Sequence, residues 1–516
     1  MFARIGIIGS GTMGRGIAQL FATAGQEVWL HDSRPEAIDQ ALAFNRGLLE
    51  RAVAKGSISA ETLAGTLARM RPAHRLQELA DCDLLIEAIV ENLEAKQALF
   101  RELESLVAPD AVLATNTSSL SVARIASTCQ HPQRVAGFHF FNPVPRMKIV
   151  EVVKGARTDG QVISRLAKLA EHAGHFAAIT PDTPGFLVNH AGRAYGAEAL
   201  RILSEGIATP AQIDRILRDT GGFRMGPFEL FDLVGLDISH ATMESIFQQF
   251  YHDPRYTPSY QVPQRLAAGL LGRKSGQGFY CYVNGQQVCE PETVAVEVSL
   301  DRPFWLHSAD AALRQRLRAL LQQTGATLED AEQPSAQAIC LITPLGADAS
   351  TLIVRQQLPA ERTLALETFA GFDKRRVLMR QPALAPVVLA QTRQALAADG
   401  VPVEVINDSP GFITQRVIAG IVNLGCEIAQ KRIATPGTLD CAVQLALGYP
   451  RGPLSFGDHF GAACIQQILE ELHAAYQEAR YRPSPWLRRR VQLGLPLTTP
   501  EERERRAGLN RHVQLP

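Results

Sequence analysis

The residues best suited to proton transfer are a histidine and a glutamate twelve positions apart. His139 lies near the end of one apolar, strand-like run, and Glu151 lies in another. A carboxylate beside an imidazole can hold its tautomer and stabilise the imidazolium formed when the ring accepts a proton. The pattern is therefore compatible with a general base and its partner. The alternative is a histidine that is hydrogen-bonded within an apolar core.

A glycine pattern near the start of the chain indicates a nucleotide site. Gly9, Gly11 and Gly14 of the segment GSGTMG fit G-x-G-x-x-G between a strand-like run and a helical pattern. Such glycines permit a tight turn, backbone approach to a pyrophosphate, and close packing of helix on strand. Asp32, at the end of the next strand-like run, can accept both ribose hydroxyls and would repel a 2′-phosphate. The sequence therefore predicts NAD rather than NADP, the alternative being glycines of an ordinary loop.

The elements that would hold these residues alternate between strand and helix. Strand-like runs, separated by helical patterns, occupy 4–8, 27–30, 83–89, 112–114 and 135–140. This alternation predicts a parallel, doubly wound sheet, with strand ends where ligands bind. The polar segment 116–119 follows one such strand, although a helix cap is the simpler interpretation of that segment alone. From Asp182 to about Tyr282 the patterns are helical.

The helical part of the chain occurs twice. DTPGF at 182–186 returns as DSPGF at 408–412, and IATP at 207–210 returns as IATP at 433–436, both 226 positions later. A register kept over so many residues indicates a duplicated domain. The region between the copies has strand-like runs at 338–342 and 363–366 but no glycine fingerprint, which predicts a degenerate α/β segment.

The expected fold is thus an α/β Rossmann domain plus an all-α dehydrogenase domain, the helical domain being duplicated after the degenerate segment. We assign four domains: 1–185, which binds NAD, 186–285, which is helical, 286–405, which is degenerate α/β, and 406–516, the second helical copy.

Bulk composition excludes several classes of protein. The 52 basic and 52 acidic residues balance, so nothing favours general binding of nucleic acid. The eight cysteines form no C-x-x-C pair, which argues against a zinc site or a disulfide framework and favours a reducing cytoplasm. Neither a signal peptide nor an apolar run of the roughly 18–20 residues needed to cross a membrane is apparent. We expect a cytoplasmic protein with no membrane partner.

Five segments resemble the 3-hydroxyacyl-CoA dehydrogenase family over residues 1 to about 282. They are IEAIVENLEAK (86–96), NTSSL (116–120), HFFNPVPRMKIVEVV (139–153), DTPGFLVN (182–189) and GPFELFDLVGLD (226–237). The resemblance implies NAD-dependent oxidation of an (S)-3-hydroxyacyl-CoA to the 3-oxoacyl-CoA. The two-copy arrangement resembles the long bacterial form of phenylacetate catabolism, which implies 3-hydroxyadipyl-CoA as the substrate. A general short- or medium-chain activity, as on 3-hydroxybutyryl-CoA, is the alternative.

The resemblance also assigns roles to individual residues. Four would act on the substrate: the base His139, its partner Glu151, and the oxygen-holding pair Ser118 and Asn189. Three more would lie near the nicotinamide cofactor, namely Glu91, Lys96 and Lys274. Lys55 falls near a lysine of the family that contacts coenzyme A.

Arg146 departs from the family, whose members commonly carry an apolar residue at this position. It stands seven positions after His139, and a guanidinium there is costly to desolvate without an anionic partner. One candidate partner is the terminal carboxylate of a dicarboxylyl thioester. The alternative is that Arg146 faces solvent or pairs with a surface carboxylate such as Glu94.

The second helical copy departs from the family pattern as well. Gln415 stands in the position of Asn189, and Ser455 in that of Glu229. We therefore interpret the second copy as structural. Because single-copy family members pair through this domain, it could imitate a partner subunit within one chain. The alternatives are an independent ligand site and an ordinary homo-oligomer.

Two other functions compete with this interpretation. Another β-hydroxyacid dehydrogenase would share the fold and the fingerprint, but such enzymes usually rely on a catalytic lysine. An inert family member would be expected to lack part of the set formed by His139, Glu151, Ser118 and Asn189, and all four are present.

Overall fold

The computed structural model describes residues 2–288, 291–292 and 298–501. They form two compact units. The first contains residues 2–190 and 431–447, and the second contains the described residues of 191–430 and 448–501. None of the described helices is long and apolar enough to span a membrane.

The strands are β1 (Arg4–Ile8), β2 (Glu27–His31), β3 (Met70–Ala73), β4 (Leu84–Glu87), β5 (Val112–Thr115), β6 (Val135–Phe140), β7 (Ile149–Lys154), β8 (Phe176–Pro181), β9 (Tyr282–Val283), β10 (Gln286–Gln287), β11 (Phe304–His307), β12 (Leu328–Glu329), β13 (Ile339–Ile342), β14 (Thr363–Leu366), β15 (Arg376–Arg380) and β16 (Val403–Asn407).

The helices are α1 (Thr12–Thr23), α2 (Pro35–Ala54), α3 (Ala60–Arg69), α4 (Leu93–Leu106), α5 (Val122–Ala126), α6 (Gly160–His172), α7 (Val188–Ala191), α8 (Arg193–Ser204), α9 (Pro210–Asp219), α10 (Pro227–Val234), α11 (Leu236–Gln249), α12 (Gln261–Ala267), α13 (Ala311–Gln323), α14 (Ala349–Gln356), α15 (Pro386–Ala397), α16 (Thr414–Gln430), α17 (Pro436–Leu447), α18 (Pro453–Phe460), α19 (Ala462–Tyr476) and α20 (Pro485–Leu493).

The first unit is built on an eight-stranded sheet in the order β3-β2-β1-β4-β5-β6-β7-β8. All neighbouring strands run parallel except β6 and β7, which are antiparallel. Alternate residues of a strand face opposite sides of a sheet. Accordingly, Leu84 and Ile86 of β4 enter one buried cluster and Leu85 enters another. The sheet is therefore covered on both faces, which confirms the predicted Rossmann architecture.

Two strands of this sheet were not predicted. The helical pattern expected to continue to about residue 70 breaks after α2 and ends at Arg69, where the short, proline-containing β3 begins. The sequence pattern does not predict β8, because only two of its six residues are buried and it has no continuous apolar run. Both strands pair at an outer position of the sheet, where burial places less constraint on sequence.

The second unit contains a smaller sheet in the order β12-β11-β13-β14-β15-β16. It repeats the end of the first sheet, because β14 and β15 are antiparallel and β15 and β16 are parallel, as are β6–β7 and β7–β8. β11 ends at His307 and is followed by Ser308 rather than by a glycine loop. This sheet is the predicted degenerate α/β segment.

The two helical copies share local geometry. Phe186 and Phe412, which end the two DxPGF motifs, both have φ of 47°. Asp232 accepts a hydrogen bond from the backbone of Phe279 at 2.8 Å. Its counterpart Asp458 accepts one from Leu497 at 2.6 Å. The same aspartate thus anchors the end of each copy, which confirms the duplication.

Equivalent helices of the two copies cover an outer strand in each unit. In the first unit, α17 packs against β7 and the edge strand β8. In the second unit, α9 lies beside the edge strand β16, where Arg215 pairs with Glu404 at 2.7 Å and Gln212 donates to the carbonyl of Val405 at 3.2 Å. Each helix therefore lies against the outermost strand of its sheet.

Within the second unit the two copies pack through the equivalent helices α8 and α16. Arg201 of α8 pairs with Glu478, just before the short turn 479–481. Glu427, the same position in α16, pairs with Arg255 in the equivalent turn 254–256. Each helix therefore reaches the same turn of the other copy, as expected for an approximate two-fold axis.

The interface between α8 and α16 contains a fully buried guanidinium. Arg416 has none of its side chain exposed and pairs with Glu198 and with Glu205, the latter at 2.7 Å. Tyr476 donates to the same oxygen of Glu205 at 2.8 Å. Burial opposes ionisation of Glu205, but the hydrogen bonds and charge of Arg416 outweigh it and lower the pKa of this carboxyl.

We expect Arg416→Ala to lower the free energy of unfolding by about 3–5 kcal/mol, because it leaves the buried carboxylate of Glu198 without its paired cation and takes one of two arginines from Glu205. Arg488→Ala, at an exposed arginine, is the control and should change it by less than about 0.5 kcal/mol. The loss of unfolding free energy in Arg416→Ala should be present at pH 7 and should shrink as the pH falls through the lowered pKa of Glu205. Urea unfolding measures both variants, and equal losses would contradict the assignment.

Candidate active site

The predicted histidine and glutamate meet across two antiparallel strands. His139 of β6 is directly opposite Glu151 of β7. The Nδ1 atom of His139 lies 2.5 Å from Oε2 of Glu151, and the two residues are 5% and 0% exposed. The ring of Phe141 packs 4.6 Å from the imidazole, centroid to centroid. The pair is therefore shielded from water, which strengthens its electrostatic coupling.

Glu151 also holds the segment that carries Asn189. Its second oxygen, Oε1, accepts hydrogen bonds from the backbone of Leu187 at 2.9 Å and of Val188 at 2.8 Å. These residues enter α7, and Asn189 is the next residue along. One carboxylate thus connects the histidine with the start of this helix.

Ser118 lies in the loop after β5, which is wrapped around the carboxylate of Glu91. Oε1 of Glu91 accepts from Oγ1 of Thr117 at 2.6 Å, from the backbone of Ser118 at 3.1 Å, and from Oγ of Ser119 at 2.9 Å. Burial acts to raise the pKa of Glu91. The Lys96 ammonium and the hydroxyl hydrogen bonds outweigh burial and hold the pKa below its ordinary value. The acceptor that shapes this loop is therefore an anion.

Two residues that sequence reasoning did not single out support this loop. Asn116 accepts a hydrogen bond at its Oδ1 from the backbone of Phe140, at 2.8 Å, which ties the loop to the strand of His139. Glu87, at the end of β4, is fully buried and pairs with Lys96 at 2.5 Å. The available signal was an acidic residue that ends the apolar run DLLIE.

The three glycines of the fingerprint have different surroundings. Gly9 has φ of 102°, and a Cβ there would lie 2.4 Å from the carbonyl oxygen of Ala88. A Cβ on Gly14 would lie 1.7 Å from the carbonyl oxygen of Gly9. A Cβ on Gly11, at the start of α1, would meet no protein atom within 4 Å. Two glycines are thus required by the fold, and the third leaves open space where a pyrophosphate fits.

Asp32 stands at the end of β2, beside this loop. One of its oxygens accepts from the backbone of Ser10 at 2.9 Å and from the Ser10 hydroxyl at 2.8 Å, and the other accepts from the backbone of Arg34 at 3.1 Å. Burial acts to raise the pKa of Asp32, but these hydrogen bonds outweigh it and the pKa is lowered. The carboxylate is therefore ionised and suited to accept ribose hydroxyls.

The remaining predicted residues are Lys55, Lys274 and Arg146. Lys55 is exposed at the end of α2. Lys274 belongs to the second unit, where its ammonium pairs with Asp237 at 2.5 Å. Arg146 is exposed in the loop between β6 and β7, and no described carboxylate, Glu94 included, lies within ion-pairing distance of it.

The second copy has different residues at the equivalent positions. The pairing of β14 with β15 places Glu367 opposite Val377, so Glu367 stands where His139 does in the first sheet and Val377 stands where Glu151 does. Oε1 of Glu367 accepts from the side chain of Gln415, the counterpart of Asn189, at 2.8 Å. Burial raises the pKa of Glu367 to about 7. Neither the imidazole base nor its carboxylate partner is retained.

A glycine loop at the end of a parallel sheet, an acidic residue on the next strand, and a buried histidine–glutamate pair together define an NAD-dependent dehydrogenase. Comparison with known families makes this specific. Residues 4–182 match the NAD binding domain of 3-hydroxyacyl-CoA dehydrogenase, and residues 185–282 and 411–502 both match the C-terminal domain. The chain belongs to the 3-hydroxyacyl-CoA dehydrogenase family, and its cofactor is NAD.

Relatives of two lengths are found. The 3-hydroxyadipyl-CoA dehydrogenase of Escherichia coli K12 is 37% identical over 492 residues, which are 95% of this chain and 97% of the relative. A crystal structure of 3-hydroxybutyryl-CoA dehydrogenase from Escherichia coli K12 superposes with a TM-score of 0.84 at 35% identity, covering 96% of this chain and 99% of that one. The probable 3-hydroxybutyryl-CoA dehydrogenase of Deinococcus radiodurans is 39% identical over 54% of this chain and 100% of its own length.

The contrast between glycines gives a test of the cofactor site. Gly11→Ala should fold with an unchanged unfolding temperature but raise the KM for NAD roughly tenfold or more, because the methyl group occupies the space left for the pyrophosphate. Gly14→Ala, the matched variant, should instead lose about 1–3 kcal/mol of stability through overlap with Gly9. Thermal unfolding and steady-state kinetics separate the two, and identical behaviour would contradict the distinction.

Proposed function

We propose that this enzyme oxidises the 3-hydroxyl group of an (S)-3-hydroxyacyl-CoA to a ketone, with 3-hydroxyadipyl-CoA of phenylacetate catabolism as its substrate. The observation that carries the reaction is the buried contact between His139 and Glu151. The substrate rests on the similarity, over nearly the full length, to a relative named for it. A general 3-hydroxybutyryl-CoA dehydrogenase is the alternative, since relatives of that name share the same architecture.

The histidine acts as the base in this proposal. Its Nδ1 donates to Glu151, so the neutral ring presents the lone pair of Nε2 to the substrate hydroxyl. Nε2 takes the hydroxyl proton while the hydride leaves C3 and the carbon–oxygen double bond forms. Glu151 stabilises the resulting imidazolium. When bound, NAD supplies the hydride acceptor at its nicotinamide ring.

The remaining site residues bind and orient. We assign Ser118 and Asn189 to the reacting oxygens, and the backbone of Ser118, already bonded to Glu91, leaves its hydroxyl for this task. As the family resemblance implies, we assign to NAD the residues Gly9, Gly11, Gly14, Asp32, Glu91, Lys96 and Lys274. Lys55 is assigned to coenzyme A.

We assign residues 1–185 to NAD binding and residues 186–285 to the helical dehydrogenase domain. Residues 286–405 form the degenerate α/β segment in this assignment, and residues 406–516 form a structural second copy of the helical domain. The last assignment is supported by the reciprocal contacts of α8 and α16 and by the loss of the histidine at Glu367. The second copy would replace a partner subunit within one chain, a homo-oligomer being the alternative. We place the enzyme in the cytoplasm. Its proposed partner is an acyl-CoA, and we expect it to bind neither nucleic acid nor a membrane.

His139→Ala should lower kcat by roughly 10²–10⁴-fold, the usual loss on removal of a positioned general base. The affinity for NAD should change little. Glu151→Gln should lower kcat as well, because the imidazolium loses its counter-charge. NADH formation from 3-hydroxyacyl-CoAs measures both effects. His131→Ala, at an exposed histidine of the same unit, is the control. Near-normal turnover of the His139 variant at neutral pH would exclude it as the base.

Arg146 provides the test of substrate choice. We propose that its guanidinium, exposed and without a described carboxylate nearby, binds the terminal carboxylate of 3-hydroxyadipyl-CoA. Arg146→Leu should then lower kcat/KM for that substrate roughly tenfold or more, since a hydrogen bond to a charged group contributes about 1.5–3 kcal/mol. Activity on 3-hydroxyhexanoyl-CoA, which has no terminal carboxylate, should be nearly unchanged.

The matched control for this comparison is Lys148→Leu, which removes the same charge from the same exposed loop. It should affect the two substrates equally. If Arg146→Leu also affects both substrates equally, or neither, Arg146 has no part in selectivity and the general dehydrogenase becomes the better description.

A further inference from the structure

Glu87 is a buried acid whose two oxygens are both fully engaged. Oε1 accepts from the backbone of Ile89 at 2.7 Å and from the ammonium of Lys96 at 2.5 Å. Oε2 accepts from the hydroxyl of Thr115 at 2.7 Å. A carboxylate without solvent exposure requires such compensation, because removing one partner leaves an uncompensated charge. Glu87 is therefore a fixed point at the ends of β4 and β5.

Lys96 connects Glu87 with the second carboxylate of this network, that of Glu91. Its side chain is 1% exposed, and its ammonium lies 2.5 Å from Glu87 and 3.3 Å from Oε2 of Glu91. One cation thus holds two carboxylates, one of them fully buried and the other partly exposed. Because the ammonium is anchored by the deeper acid, it fixes where the outer acid can lie.

Glu91 in turn determines the shape of the loop that carries Ser118. Its Oε1 accepts hydrogen bonds from the backbone of both Ser118 and Ser119, at 3.1 and 3.2 Å. The hydroxyls of Thr117 and Ser119 donate to the same oxygen at 2.6 and 2.9 Å. Three consecutive residues are therefore arranged around one atom, and displacement of that atom displaces the Ser118 hydroxyl.

Glu87 also fixes the start of this loop through its backbone. The carbonyl of Glu87 accepts from the backbone of Asn116 at 2.8 Å. Asn116 accepts from the backbone of Phe140, the residue after His139, at 2.8 Å. The loop is thus tied at one end to the strand of the base and at the other to Glu91.

We propose that Glu87 is a positioning residue that sets the Ser118 hydroxyl relative to His139, acting through Lys96 and Glu91. The proposal rests on the assigned role of Ser118 in holding the substrate oxygen. Glu87→Gln replaces the anion by a neutral amide of the same shape. The ammonium of Lys96 then has Glu91 as its remaining anionic partner and draws that carboxylate away from the loop.

A double-mutant cycle between Glu87 and Ser118 tests the proposal in the full-length enzyme. Glu87→Gln should lower kcat/KM about tenfold in the wild-type background, as expected when a group that orients the reacting oxygen is misplaced. In the Ser118→Ala background the same change should cost less than about twofold, because the group being positioned is already absent. Thermal unfolding, measured in parallel, reports the loss of stability separately.

Glu104→Gln is the matched control, since Glu104 also holds backbone amides and an arginine in the first unit but has no contact with the loop. Its effect on kcat/KM should be the same in both backgrounds. If Glu87→Gln does not fold, Thr115→Val removes one contact of Glu87 and enters the same cycle, with about a threefold loss expected.

The outcomes are separable. Equal losses from Glu87→Gln in both backgrounds, or no loss in kcat/KM at all, overturn the positioning role while leaving the proposed reaction intact. Unchanged activity of Ser118→Ala alone would instead remove Ser118 from the proposed mechanism, whatever the behaviour of Glu87.

Discussion

The buried carboxylate of Glu151 is the constraint on which the catalytic arrangement depends. An ion of this kind costs several kcal/mol to remove from water, and His139 and two backbone amides at the start of α7 compensate it. Because these partners belong to different elements, satisfying the charge also brings together the strand of the base and the helix that carries Asn189. The arrangement of the site thus follows from the need to supply the Glu151 carboxylate with hydrogen-bond donors inside the protein.

A second buried acid organises the other half of the site in the same way. Glu87, Lys96 and Glu91 form a chain of charges from the interior to the loop that carries Ser118. Both acids lie on interior rather than edge strands of the sheet, β4 and β7, where both faces are packed against buried side chains. Electrostatic interactions are strong there and alternative arrangements are few, which suits a site that must hold reacting atoms within a narrow range of positions.

The duplicated half shows which features of the fold serve packing and which serve chemistry. The second copy keeps the antiparallel strand pair, the DxPGF turn and the aspartate that anchors its end, Asp458. It lacks the imidazole, and Glu367 and Gln415 are hydrogen-bonded to each other instead. The guanidinium of Arg416 meanwhile joins the helical copies. The second copy therefore keeps the contacts that pack the fold and lacks the groups that would transfer a proton.

Much of this protein is determined locally and was accessible from sequence. The glycine fingerprint, Asp32 and the 226-residue repeat are patterns of spacing, and backbone sterics and periodic burial translate such patterns directly into turns, strands and helices. The family resemblance supplied the pairing of His139 with Glu151. Only the tertiary structure decided that β7 returns antiparallel to β6, that α17 covers β8, and that Glu87 lies beneath the Ser118 loop. These features depend on the compensation of buried charges and on packing between segments that are distant in sequence. A local repeat of apolar and polar residues does not encode such contacts.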